Sequence, residues 1–114
     1  MADITLTVQD ITRSGNGLTP AYTAMNAVDN YLAANNERVF LHVKNTNVGN
    51  ATLTVVTPNT VQGLSITDMT AVIPLTSGDK MLGPFAAKDF NDSLGRLRIF
   101  VDLATGVTIA ALRL

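Results

Sequence analysis

Cysteine and tryptophan are both missing, and only 15% of the residues are charged. Without cysteine the chain has no disulfide and no thiolate metal site. That absence fits a reducing compartment, but exported β proteins can lack cysteine too. The single histidine, His42, cannot supply the ligand set of a zinc site, and no second imidazole is available to a catalytic triad. The net charge is −1, and the eight Lys and Arg are scattered, with Arg96 and Arg98 the closest pair. This argues against binding a nucleic-acid backbone, which needs clustered cations. No apolar run approaches the roughly 20 residues that span a bilayer. The opening MADITLTVQD has neither a basic nor an apolar leader segment. The expectation is therefore a chain made in the cytoplasm and soluble there, unless an assembly carries it elsewhere.

The chain is rich instead in short alternating segments. Ile4, Leu6 and Val8 alternate with Thr5, Thr7 and Gln9, which predicts a half-buried strand almost at the start. Val39–Asn45 and Ala51–Thr57 read as strands joined by the turn Asn47-Val48-Gly49-Asn50, a hairpin or close neighbours. Leu64–Ile66 is a short segment, and Met69–Leu75 alternates until Pro74 marks an edge or an end. Arg96–Asp102 and Val107–Leu112 read as a closing hairpin, with Leu97, Ile99 and Val101 on one face and Phe100 opposite.

Residues 13–37 break this rhythm. Arg13-Ser14-Gly15-Asn16-Gly17 is a loop, continued by Pro20. In the Ala- and Asn-rich stretch after it, Met25, Val28 and Leu32 fall at helical spacing, so the region is expected to be a loop or short-helix excursion. The fold expected is all-β: one domain over 1–114, a two-sheet antiparallel sandwich of jelly-roll-like form. Its core would be Ile, Leu, Val and Phe, each contributing about 1.5–3 kcal/mol when fully buried.

Chemistry-bearing patterns are sparse. His42 lies mid-strand and reads as a structural or surface residue. Asp89 and Asp92 flank a loop without the EF-hand pattern, so turn and capping roles account for them better than calcium. No phosphate-binding glycine loop or nucleophile elbow occurs. Asn50-Ala51-Thr52 and Asn91-Asp92-Ser93 match the glycosylation sequon by chance. No catalytic, metal or cofactor residue is assigned, and the chain is read as a non-enzyme. Tyr22 and Tyr31 are the candidate platforms should it instead be a carbohydrate-binding or adhesin module.

The order of segments carries a resemblance. An Asn-rich stretch leads into Val39-Phe40-Leu41-His42-Val43-Lys44-Asn45 and the return Ala51-Thr52-Leu53-Thr54-Val55. Then follow Gly83-Pro84-Phe85, Phe90-Asn91, and a segment from Gly95 that ends in Val107-Thr108-Ile109-Ala110-Ala111-Leu112. Over about residues 29–114 this resembles small structural proteins of tailed-bacteriophage virions, of the capsid decoration (cement) type. The family pattern has glycines across 29–38, where this chain has Asn30 and Glu37. The resemblance implies a virion protein on the outside of the head, often a trimer, partnered by the major capsid protein. A head–tail connector, tail or baseplate module is the alternative within the virion. Neither role implies a catalytic residue, a cofactor, nucleic acid or a membrane. The residues expected to touch partners are Ile4, Leu6 and Val8 near the start, Tyr22 and Met25 in the excursion, and Leu112 and Leu114 at the end.

Overall fold

The alternating run at the start does not form one strand; it is shared between two sheets. In the computed structural model, which describes residues 2–11, 17–103 and 105–114, Asp3–Thr5 forms β1 and Val8–Asp10 forms β2. Thr23–Ala24 (β3) and Asn30–Ala34 (β4) follow, then the long Val39–Asn45 (β5) and Ala51–Val55 (β6). Thr60–Val61 (β7) and Leu64–Ser65 (β8) make a separate small ladder. Met69–Ile73 (β9), Gly78–Leu82 (β10), a single helical turn at Ala87–Phe90 (α1), Arg96–Val101 (β11) and Val107–Arg113 (β12) complete the order.

The first sheet has the order β1-β4-β11-β6-β9, and the second β10-β5-β12-β2, with β3 also on the outer side of β12. The two pack as a sandwich. Their inward rows supply the core: Tyr31 and Ala33 from β4, Leu97, Ile99 and Val101 from β11, Leu53 and Val55 from β6, and Ile73 from β9. Leu41 and Val43 of β5 and Ile109 and Ala111 of β12 face them.

Both sheets are mixed rather than purely antiparallel. β1 runs parallel to β4, with Ile4 opposite Tyr31, and β2 runs parallel to β12, with Val8 opposite Ala111. Leu6 lies where the chain passes between the sheets. Its N–H bonds Leu32 O at 2.7 Å and its side chain is buried in the core.

The expected hairpins are corrected to arches. β5 and β6 lie in different sheets, and so do β11 and β12. Asn45 explains the first crossing. Its side chain is fully buried, and its amide nitrogen donates to Gly49 O (3.0 Å) and Ile73 O (3.1 Å). Its amide oxygen accepts Asn47 N–H at 2.9 Å, which turns the chain away from its own sheet. The second arch rests on the first: Thr46 N–H bonds Gly106 O (2.8 Å), and the Asn47 amide donates to Thr105 O (3.0 Å). Gly106 has φ 86°, a left-handed conformation suited to glycine.

The excursion is also corrected. Within residues 17–37 the structure has β3 and β4 and no helix; residues 13–16 lie outside the described part of the chain. Met25 and Leu32 are buried and Val28 is exposed, because strand pairing, not a helical face, decides their burial. Tyr31 and Ala33 point inward from β4. In the turn between β4 and β5, Glu37 has φ 71°, the glycine-like conformation, at a stretch where the resembled family has glycines. The Glu37 carboxylate accepts the N–H of Ala87 at 3.1 Å and so fixes the start of α1.

Candidate functional site

The outer face of the second sheet carries the most connected polar side chains. In β5 the residues alternate strictly, so Leu41 and Val43 enter the core while His42 and Lys44 face outward. Pairing sets Met81 and Ala110 on either side of His42, and Asp79 and Thr108 on either side of Lys44. Tyr22 precedes β3 by one residue and lies across the small Ala110. Its ring therefore reaches His42, edge to face, with centroids 5.5 Å apart. Tyr22 Oη lies 2.7 Å from His42 Nδ1, and His42 Nε2 bonds the Asp79 carboxylate. The arrangement is satisfied when Nε2–H donates to Asp79 and Nδ1 accepts the tyrosine hydroxyl, the tautomer the network assigns. Lys44 Nζ stands 4.5 Å from the Tyr22 ring centroid as a cation–π partner.

An Asp–His–Tyr chain of this kind resembles the hydrogen-bonding pattern that activates a nucleophile. Here it ends at a hydroxyl whose ring is covered by Lys44. A cleft of about 410 Å³ opens beside it, lined by Thr5, Leu6, Thr7, Gln9, Thr23 and Ala110 among others, but by neither Tyr22 nor His42. The chain of bonds fastens Tyr22, and with it the start of β3, to the sheet. Gln9 does the same from the other side. Its side-chain amide donates to Ala21 O and accepts Ala21 N–H, both at 2.8 Å, in the manner of one more strand residue. Among the described residues no cluster of His, Asp and Glu is placed to hold a metal ion, and no helix is long and apolar enough to cross a membrane.

The residues expected at partner contacts are dispersed. Leu6, Met25 and Leu112 are buried within the chain's own fold, and Met25 N–H bonds Val107 O. Ile4 and Val8 are half-buried against the core. Tyr22 is half-buried in the chain just described, and Leu114 alone of the seven is largely exposed, at 68%. Tyr31 is no platform for a sugar. It is fully buried, and its hydroxyl accepts the N–H of Asn26 and donates to Ala24 O. Both sequon asparagines are engaged in bonds, Asn50 to Leu75 N–H and Asn91 to Asn35.

The surface that sequence reading missed is the outer face of the first sheet. Phe100 lies opposite Thr54, and Thr54 opposite Thr70; in the next row Thr52 lies opposite Val72. Phe100 is 36% exposed and Val72 56%. Charge flanks this row on both sides: Arg98 pairs with Asp3 at 3.2 Å and Arg96 with Asp92 at 3.3 Å, and beyond Phe100 the exposed Asp102 carboxylate accepts the N–H of Thr52. The signal was present: Phe100 alternates with the core residues Leu97, Ile99 and Val101 and so stands on the outward side of its strand. No family model, curated protein or solved structure matches the chain.

Proposed function

We propose that this chain is a structural subunit of a tailed-phage virion, a head decoration protein that binds the outside of the capsid and stabilises it by protein–protein contacts. The observation that carries the reading is the uncharged row Phe100–Thr54–Thr70, with Val72 beside it, on the outer face of the first sheet, flanked by Arg98 of β11 and by Asp102 just after that strand. Such a band offers apolar and hydroxyl contact without the desolvation cost of buried charge. The shape supports the same reading. The chain is a slab of 43 × 37 × 23 Å, so its broad faces are large enough for the roughly 800 Å² per partner of a stable interface. A slab laid across a seam between capsid subunits resists their separation in proportion to the contact it makes on both sides. Assembly into trimers at three-fold positions, as the segment resemblance implies, multiplies that effect through avidity.

The test uses shells assembled from the major capsid protein of the same phage and lacking this chain. Purified protein is expected to bind them at a fixed saturating stoichiometry and to raise the temperature at which they break. Phe100→Asp should weaken binding at least about tenfold while the isolated chain stays folded. A protein that never binds the shell refutes the reading. Rings seen by negative-stain microscopy, together with binding to tails, would place it in the connector or tail instead.

A further inference from the structure

The edges of the two sheets differ in how well they are protected. An open edge presents unpaired backbone groups and is normally blunted by charge, shortness or proline. β10, an edge of the second sheet, carries Asp79 and Lys80, and Lys80 lies opposite the core-facing Val43. The opposite edge of that sheet is divided between the short β2, which contains Asp10, and the two-residue β3. In the first sheet, β1 has three residues and carries Asp3. β9, the other edge of the first sheet, has none of these devices. Its sequence is Met69-Thr70-Ala71-Val72-Ile73, and Pro74 follows only after the strand has ended.

The backbone of β9 is open in a defined pattern. Thr52 N–H bonds Asp102, and Val56 N–H bonds Arg98 O, so these residues of the β6 segment turn their backbone groups toward β11. Ala51, Leu53 and Val55 then bond β9, opposite Ile73, Ala71 and Met69. Thr70 and Val72 are left with N–H and C=O pointing away from the sheet, and neither takes part in a hydrogen bond among the described residues.

That pattern is self-complementary. If two β9 strands meet antiparallel about a two-fold axis through Ala71, Thr70 falls opposite the partner's Val72 and Val72 opposite the partner's Thr70. Both residues have free N–H and C=O, so each opposed pair exchanges two N–H···O bonds. An axis half a residue away would oppose free groups to used ones. An axis through Thr70 or Val72 would set Val72 against Asp68 or Thr70 against Pro74, which has no N–H. Only the axis through Ala71 therefore pairs the two open residues with each other. Side chains agree with the same register. Thr70 would stand beside the partner's Val72 on the outer face, extending the row Phe100–Thr54–Thr70 into the second copy, and β9 holds no charge to repel its twin.

We infer that β9 is a self-pairing edge, through which two copies of this chain join their first sheets into one continuous sheet. The pairing needs no capsid and so goes beyond the function proposed above. On a shell it would link neighbouring trimers across the two-fold axes between them.

Sedimentation from about 1 µM to about 1 mM should show a 12.1 kDa species giving way to one of twice that mass. Val72→Pro is the sharpest variant, because it deletes only an outward N–H and leaves the ladder to β6 intact. It should weaken dimerisation about tenfold or more. Val72→Lys, should proline disturb the strand, should act in the same direction through edge charge, while Met81→Lys on the other sheet should change nothing. Exchange of the Thr70 and Val72 amide hydrogens should slow at high concentration. A mass that stays at the monomer value throughout, or an oligomer that both Val72 variants leave unchanged, would overturn the inference. Binding to empty shells is read separately, so the two proposals fail independently.

Discussion

Asn35 and Asn91, 56 residues apart, are joined by two hydrogen bonds, one from amide to amide and one from the Asn91 amide to the Asn35 backbone carbonyl. Asn35 Nδ2 donates to Asn91 Oδ1 at 2.6 Å, and Asn91 Nδ2 donates to Asn35 O at 3.1 Å. Asn35 also donates to Phe85 O and accepts Glu37 N–H, so its buried side chain joins the end of β4 to the segment around α1. Asn91 O in turn accepts from Asn59. An alanine at either position leaves buried backbone groups without partners.

Asn35→Ala and Asn91→Ala are each expected to lower unfolding stability by roughly 1–3 kcal/mol, the cost of orphaned buried polar groups. The double variant should cost clearly less than the sum, with a coupling of about 0.5 kcal/mol or more. Urea unfolding of the four proteins measures this. Simple additivity would mean that the two amides act through separate partners.

The segment before β3 is held by side chains rather than by a long ladder. β3 has two residues, and the Tyr22 hydroxyl on His42 and the Gln9 amide on Ala21 supply much of the remaining attachment. Tyr22→Phe keeps the ring over Ala110 and under Lys44 and removes only the hydrogen bond. It should cost about 1 kcal/mol. The more telling readout is local. Amide exchange in residues 21–25 should speed up while that of β5 and β12 stays as before. If exchange rises equally across the second sheet, the bond supports the whole sheet and is no local fastening.

Period-2 alternation made the strands of this fold legible, since it reports which side chains must leave water. Val39–Asn45, Met69–Ile73 and Arg96–Val101 lie where the pattern puts them, and Phe100 stands opposite Leu97, Ile99 and Val101. Alternation says nothing about which sheet a strand joins. Asn47-Val48-Gly49-Asn50 has the composition of a hairpin turn and forms an arch, because the deciding contact is Asn45 to Ile73, 28 residues away. Residues 4–9 alternate without interruption even though the chain changes sheets at Leu6, which faces the core in either case. The candidate surface was only half legible. Chain ends appeared in need of partners, but parallel pairing with β4 and β12 buries the first of them. The open edge of β9 became visible only once its neighbour was known to be β6 alone.

Acid should destabilise the fold at a place the geometry identifies. Burial alone would raise the Asp92 carboxyl. The backbone N–H groups of Arg96 and Leu94 and the Arg96 guanidinium outweigh it and hold the group below its ordinary value of 3.8. Asp29 is lowered by the Asn26 amide and the N–H of Ala2, and Asp10 by its hydrogen bond to Arg113. A carboxyl with a lower pKa when folded than when unfolded binds fewer protons in the native state. Its stabilisation is complete above the unfolded value and is lost as pH falls through the folded one. The urea midpoint should therefore stay level with respect to these groups from neutral pH down to about 5, then fall below about 4. Asp92→Asn should start lower at neutral pH and fall less steeply in acid. A wild-type midpoint unchanged between pH 5 and 2 would contradict this assignment.

Gly78 shows how tightly the turn between β9 and β10 is packed. It is buried at the first position of β10, opposite Asn45. A Cβ added there would meet Pro74 O at 2.0 Å and Ile73 Cγ2 at 2.9 Å. The obstacle is backbone, which cannot swing aside as a flexible side chain does. Gly78→Ala should therefore force β10 away from the turn, disturb the Asn45 bond to Ile73 O and cost on the order of 3 kcal/mol, the upper part of the overpacking range. For a domain of this size the melting temperature should fall by roughly 10 °C. Gly49, at the same end of the sandwich, is the control. Its added Cβ would make only an ordinary 3.8 Å contact with Asn47 Oδ1, so Gly49→Ala should leave the melting temperature unchanged or slightly higher. Equal losses at the two glycines would mean that chain flexibility, and not the approach of Pro74 to Gly78, sets the requirement.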